Sequence, residues 1–139
     1  MAPERASLPK FLRLCRLGGL TFVILLFASS GALHFLATDL FVSIIPPHLP
    51  WRYAAVYVSG ACELSGALGL CLPRLRRAAG IGLFLLTIAV TPANIYMWLR
   101  ADLFPQVSPA LLFWRLPAQL ALLAMIWRVA IQRAEHKLG

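Results

Sequence analysis

Four long apolar stretches constrain this chain more than any other feature of its sequence. They lie at 17–38, 53–72, 78–99 and 109–128, and each is close to the length of about 20 residues that a helix needs to cross a bilayer. Only 13% of the residues are charged, against roughly 25% in soluble domains, so water would meet a largely apolar surface. We therefore predict an all-α integral membrane protein in which residues 17–130 form a four-helix bundle.

The segments between the stretches contain residues that end or begin helices. The first connection, IIPPHLPWR (44–52), is rich in proline, which lacks the amide hydrogen that a helix interior needs. The second, PRLRR (73–77), is short and basic. In the third, Ser108 before Pro109 is typical of an N-cap followed by proline at the first helical position. Lipid offers no hydrogen-bond partners to exposed backbone, so helices are the expected form of all four stretches.

The basic residues predict the orientation of the bundle. With four crossings, the N-terminus, the second connection and the C-terminus share one side of the membrane. That side holds ten of the 13 lysine and arginine residues, namely Arg5, Lys10, Arg13, Arg16, Arg74, Arg76, Arg77, Arg128, Arg133 and Lys137. The opposite side holds Arg52, Arg100 and Arg115. Because cytoplasmic segments are enriched in Lys and Arg, we predict a multi-pass protein of the cell inner membrane with both termini cytoplasmic.

This topology divides the chain into a basic N-terminal segment at 1–16, the membrane domain and a cytoplasmic tail at 131–139. It also explains the net charge of +8 without nucleic-acid binding, since the basic residues flank helices and form no patch interleaved with aromatic residues. The first stretch has the basic start of a signal peptide. Its apolar run continues through Phe35 and Leu36, however, which is longer than a typical signal core, so we expect it to be retained.

Five polar side chains inside the stretches lie in the outer half of the predicted membrane region. At a helical rise of ~1.5 Å per residue, His34 lies about 6 Å from the outer end of its helix, Asn94 about 8 Å and Arg115 about 9 Å. Glu63 and Gln119 lie about 15 Å deep by the same measure. Each helix therefore contributes to one candidate ligand-binding cluster in the outer half of the membrane.

Small residues predict the direction in which the two titratable groups of this cluster face. The positions three and four residues from them hold Ser30, Gly31, Ala37, Thr38, Ser59, Gly60, Gly66 and Ala67. Because such positions share a helix face and small residues mark helix contacts in membranes, His34 and Glu63 should face the bundle interior. A lone charge there costs about 2.5–3.5 kcal/mol, so we predict that Arg115 neutralises Glu63. The side chains of His34, Asn94 and Gln119 would fill the remaining hydrogen bonds.

Other interpretations of the cluster stay open at this point. Buried polar groups in membrane bundles often only hold helices together, and this applies best to Asn94 and Gln119. Intramembrane ionisable groups usually mark ligand or proton sites, which favours a functional role for Glu63 and Arg115. No metal site is expected, because His34 and Glu63 have no third ligand at a suitable spacing. A serine nucleophile is not expected either, because the sequence contains no GxSxG motif.

Five motifs carry a resemblance to a known family: GALHF (31–35), IIPPHLP (44–50), YVSGACELSGALGL (57–70), TPANIYMW (91–98) and WRLPAQ (114–119). Together they resemble the DoxX family of small bacterial membrane proteins, over residues 31–119. The family pattern is a histidine ending the first helix, a glutamate in the second, Pro-Ala-Asn-Ile in the third and Arg-x-Pro-x-Gln in the fourth. The matching residues here are His34, Glu63, Pro92 to Ile95, Arg115, Pro117 and Gln119. Cys62 departs from the apolar residue expected beside the glutamate.

The resemblance implies a four-helix fold without one settled activity. Relatives include a subunit of an archaeal thiosulfate–quinone oxidoreductase and a protein needed for maturing methylamine dehydrogenase, and a more distant four-helix group includes sterol isomerases and small-lipid-binding receptors. We therefore expect an accessory membrane protein without an intrinsic cofactor, which binds a quinone or lipid through the five cluster residues. Its expected partners are the bilayer, a membrane redox protein or further copies of itself.

Two alternatives use the same residues differently, and no catalytic residue is assigned. In the first, the chain is a membrane oxidoreductase subunit or an isomerase in which His34 or Glu63 transfers protons, since burial and nearby charge tune both groups. In the second, ranked last, it is a small transporter.

Overall fold

The computed structural model describes residues 7–132, with side chains from Lys10 onward. These residues are helical, with no strand among them. The helices are α1 (Ser7–Leu36), α2 (Thr38–Ser43), α3 (Arg52–Cys71), α4 (Arg76–Ala89), α5 (Thr91–Leu99) and α6 (Pro109–Ile126). A 3₁₀ turn, Ala101–Leu103, precedes α6, and a π-helical turn, Trp127–Ile131, follows it. Residues 133–139 of the predicted tail (131–139), which include Arg133 and Lys137, lie outside the described residues, as does Arg5 near the N-terminus.

Four segments of the described chain are long and apolar enough to cross a membrane: Lys10–Leu36, Arg52–Cys71, Arg76–Leu99 and Pro109–Ile131. This confirms the predicted all-α class and the number of possible spans. The first helix begins at Ser7, whereas the apolar stretch was expected to begin at 17. The difference arises because the prediction followed apolar residues, while lysine and arginine are also good helix formers and continue α1 through the basic segment.

Prolines act differently in the last two spans. The third span is interrupted at Val90, between α4 and α5. Pro92 lies two residues further on and has no amide hydrogen to continue the helical hydrogen bonds, which accounts for the interruption. Pro117 lies inside α6, which nevertheless runs without a break. At the start of α6 the Ser108 hydroxyl accepts a hydrogen bond from the Leu111 amide at 3.3 Å, which confirms the predicted N-cap.

Glycines set the distance between α1 and α3, which pack along each other. A Cβ built on Gly60 would lie 2.6 Å from the His34 Cβ and 3.2 Å from the Gly31 carbonyl oxygen. A Cβ built on Gly31 would in turn lie 3.1 Å from the Glu63 Cβ. The two backbones therefore approach as closely as small residues in membrane bundles allow. This contact confirms that the small-residue stripes face each other, and it puts His34 opposite Glu63.

The bundle has two dissimilar ends. At the basic end, where α1 begins and α3 turns into α4, apolar side chains from α1, α3, α4, the end of α6 and the π-helical turn form the main core: Leu20, Val23, Phe27, Ala67, Leu70, Leu83, Ile126, Val129, Ala130 and Ile131. At the other end, called here the loop end, α2 and the residues after it lie beside the polar residues. The apolar core and the polar residues are therefore at opposite ends of the bundle.

We expect Gly60→Ala to lower the free energy of unfolding by about 1–3 kcal/mol, the usual cost of overpacking, because the added methyl group meets the backbone-attached His34 Cβ. Thermal or SDS-induced unfolding in detergent measures this change. Gly82→Ala is the matched control, since nothing lies within 4 Å of a Cβ at that position. An equal loss in both variants would contradict the assigned contact.

Candidate functional site

A cavity of about 170 Å³ lies at the loop end of the bundle. Its polar lining is Ser30, His34, Ser59, Glu63, Asn94 and Arg115, contributed by α1, α3, α5 and α6. Apolar residues of α2, of the segment after it and of the neighbouring helices complete the wall. Four of the five predicted site residues therefore meet at one cavity. The fifth, Gln119, does not line it.

His34 and Glu63 form the buried floor of this cavity, each with 7% of its surface exposed. The His34 Nδ1 lies 2.8 Å from the Ser30 carbonyl oxygen and 3.7 Å from the Glu63 Oε2. Because a carbonyl oxygen can only accept, Nδ1 carries the hydrogen in the first of these contacts. The imidazole also stacks on the Phe41 ring, with 3.9 Å between centroids and 26° between planes. The imidazole is thus held from two sides, and its Nε2 has no hydrogen-bond partner within residues 7–132.

The Glu63 carboxylate is the incompletely bonded group of the site. Its Oε2 is buried and has no hydrogen-bond partner within the described part of the chain. A buried polar atom without a partner is costly, and such atoms in folded proteins call for an explanation such as a ligand, an ion or a water molecule. Glu63 therefore supplies a hydrogen-bond acceptor at the edge of a cavity.

The expected ion pair between Arg115 and Glu63 is wrong. Within the described residues His34 is the basic side chain that lies within 4.0 Å of the Glu63 carboxylate, and Arg115 forms no ion pair within this distance. The physical reason is that α3 and α6 are not packed along each other. Helix α3 lies against α1 and α4, whereas α6 lies against α4, α5 and α1. Matching depth did not bring the two side chains into contact. Arg115 is exposed and lies at the rim of the same cavity.

Gln119 belongs to a separate hydrogen-bond network. Its Nε2 donates to the Thr87 carbonyl oxygen at 2.7 Å and to the Thr91 Oγ1 at 2.6 Å, while its Oε1 accepts from the Asn94 Nδ2 at 2.6 Å. Thr87 lies in the last turn of α4, where carbonyl groups lose their intrahelical partners. Gln119 therefore joins α6 to the break before Pro92, and Asn94 links this network to the cavity wall.

The chain matches a family described as a domain of unknown function, DUF8561, over residues 23–130. The protein belongs to the DUF8561 family. All five predicted site residues lie inside the matched region. Searches of curated proteins and of solved structures returned no match.

Sequence reasoning missed one wall of the DUF8561 cavity, which α2 and the residues after it supply through Phe41, Ile44 and Ile45. Asp39 in the first turn of α2 is a weak helix-start signal, since acidic residues favour helix N-termini.

No group of three or more His, Cys, Asp or Glu side chains that could hold a metal ion occurs in residues 7–132. The lining of the cavity thus combines the polar side chains named above with apolar residues.

We expect Gln119→Leu to lower the free energy of unfolding by about 2 kcal/mol, because it removes three hydrogen bonds worth roughly 0.6 kcal/mol each in a membrane bundle. Unfolding in detergent measures this loss. Gln106→Leu, an exposed glutamine between α5 and α6, is the matched control. Unchanged stability of Gln119→Leu would show that this network does not hold α6 to the break in the third span.

Proposed function

We propose that this DUF8561 protein is a multi-pass inner-membrane protein that binds the polar head of a small hydrophobic molecule in the cavity beside Glu63. The observation that carries the proposal is the buried Glu63 Oε2, which has no hydrogen-bond partner within residues 7–132 although it belongs to a cavity wall. A ligand that donates a hydrogen bond to this oxygen would remove the free-energy cost of burying it without a partner.

The size of the cavity limits the bound group to about one ring. A dry cavity of about 150 Å³ accommodates benzene, and the volume here is about 170 Å³. A quinone ring or a compact lipid head therefore fits, whereas the tail of either molecule must lie outside, along the apolar helix surfaces. Exposed residues such as Leu36, Leu40 and Leu111 supply such surface near the loop end.

The polar lining favours a head that carries both a donor and an acceptor. Glu63 accepts at the floor, and the Arg115 guanidinium donates at the rim. His34 also lines the cavity, and its ring is held through Nδ1 and by stacking on Phe41. The DoxX resemblance supports the same ligand classes and an accessory role in redox chemistry or membrane-protein assembly. In that role the protein needs no intrinsic cofactor and acts beside a membrane redox protein or a second copy of itself.

The topology proposed with this function has both termini in the cytoplasm. Within residues 7–132 the basic end holds Lys10, Arg13, Arg16, Arg74, Arg76, Arg77 and Arg128, while the loop end holds Arg52, Arg100 and Arg115. This asymmetry is what the positive-inside rule requires of a cytoplasmic basic end. The cavity would then lie in the outer half of the membrane.

Reporter fusions test this topology. A green fluorescent protein fused after Gly139 should fluoresce, and an alkaline phosphatase fused there should be inactive, because the tail is cytoplasmic. A phosphatase inserted after Pro47, in the loop that follows α2, should be active. The reverse pattern would contradict the orientation while leaving the fold untouched.

A second candidate function rests on the distance between the two buried titratable groups. With 3.7 Å between the His34 Nδ1 and the Glu63 Oε2, the pair is suited to moving a proton to or from a bound head group, as an isomerase or an oxidoreductase subunit requires. Purified protein that converts a quinol or sterol without any other protein would favour this candidate over the accessory one. Binding without turnover would favour the accessory role.

We expect Glu63→Gln to reduce co-purified ligand about 10- to 100-fold, because hydrogen bonds to charged groups contribute roughly 1.5–3 kcal/mol. Mass spectrometry of lipid extracts from protein purified from its native membrane measures the amount. Asp102→Asn is the matched control, since that carboxylate is exposed and pairs with Arg100. Equal ligand content in wild type and Glu63→Gln, with both proteins folded, would overturn the proposal.

A further inference from the structure

A groove at the basic end of the bundle is separate from the cavity beside Glu63. It has a volume of about 460 Å³ and lies between α4 and the end of the last span, lined by Phe84, Leu123, Ala124, Trp127, Arg128 and Gln132. We propose that this groove binds an anionic phospholipid, with an acyl chain against the apolar wall and the phosphate at Arg128. The proposal does not depend on the function assigned to the other cavity.

The apolar wall of the groove suits an acyl chain. Phe84 and Trp127 form its floor, with 6.0 Å between ring centroids and 58° between planes. Both residues lie in segments that are long and apolar enough to span a membrane, so the groove opens on the side of the bundle that hydrocarbon would cover. Trp127 is half exposed, and no described residue accepts a hydrogen bond from its indole N–H. Tryptophan at such a boundary can donate to a phosphate or ester oxygen.

The charged end of the groove suits a phosphate group. Arg128 is exposed and belongs to the lining. Arg77 is also exposed and lies seven residues before Phe84, hence on the same face of α4. Neither arginine forms an ion pair or side-chain hydrogen bond with a described residue. A guanidinium group binds a phosphate through two parallel N–H donors, so Arg128 in the lining can hold one phosphodiester, and Arg77 adds positive charge on the same face of α4 as Phe84.

Two other arginines at this end form hydrogen bonds to backbone carbonyl oxygens and therefore have a structural role. The Arg76 Nε donates to the Leu70 carbonyl oxygen at 2.9 Å, and the Arg16 Nη2 donates to the Val129 carbonyl oxygen at 3.1 Å. These guanidinium groups hold helix ends together, whereas Arg77 and Arg128 make no such contact. The difference favours a ligand role for the second pair.

The charge around the groove selects an anion. The acidic residues that the structure describes are Asp39 in α2, Glu63 in α3 and Asp102 before α6, and none of them lines the groove. The Arg128 guanidinium in the lining of an apolar groove, without a facing carboxylate in the described chain, matches a lipid with a net negative head. A zwitterionic lipid would bring its own cation next to the arginines and bind less well.

Native mass spectrometry of the delipidated full chain tests this inference. The probes are phosphatidylglycerol and phosphatidylcholine with identical acyl chains, with inorganic phosphate as a competitor. We expect tighter binding of phosphatidylglycerol, and about fivefold weaker binding in Arg128→Gln, from roughly 1 kcal/mol per basic residue near an anionic lipid. Arg74→Gln is the matched control, an exposed arginine of the same end that lies before α4 and outside the groove lining.

The remaining outcomes decide against the site. Equal loss in Arg74→Gln and Arg128→Gln would mean that total charge attracts the lipid and no groove is involved. Equal affinity for the two lipids would remove the anion preference. Displacement by inorganic phosphate at the lipid's own concentration would show that the apolar wall contributes nothing. Phe84→Ala should weaken both lipids alike, and an unchanged affinity in that variant would also overturn the proposal.

Discussion

The close approach of α1 and α3 at Gly31 and Gly60 is the contact on which the candidate site depends. It brings His34 and Glu63 to the same interface, within 3.7 Å of each other. In a bilayer the lipid tails are as apolar as leucine, so helices associate through close packing and hydrogen bonds and not through the hydrophobic effect. Two glycines at one crossing point are therefore enough to determine which polar side chains meet.

The two ends of the bundle are held together by different kinds of contact. At the basic end a core of leucine, valine and isoleucine packs without polar atoms, and Arg16 and Arg76 fasten helix ends by hydrogen bonds to backbone carbonyl groups. At the loop end Gln119 satisfies the break in the third span, while the Glu63 Oε2 is left without a partner in the described chain. A buried acceptor without a partner in the described chain is a feature that a bound ligand would explain.

Features with a local signal could be predicted from the sequence: the four apolar stretches, the Ser108 cap, the break before Pro92 and the small residues beside His34 and Glu63. The partner of Glu63 could not, because depth along a helix gives the height of a side chain and not the neighbour beside it. Arg115 has a compatible depth, yet α6 does not pack along α3. Phe41 was missed because α2 has only six residues, too few for a 3.6-residue period to repeat. The hydrogen bonds of Gln119 could not be predicted either, because the sequence does not show that the break at Val90 leaves the Thr87 carbonyl oxygen free to accept.

The most direct test of this account is a crystal structure of the protein extracted from its native membrane and crystallised in a lipid phase. The account predicts density that belongs to no part of the chain inside the cavity, with one atom about 3 Å from the Glu63 Oε2, the usual hydrogen-bond distance. It further predicts that His34 keeps its bond to the Ser30 carbonyl oxygen. A cavity without such density, with Glu63 instead bonded to the Arg115 guanidinium, would contradict the account and leave the polar residues with a structural role alone.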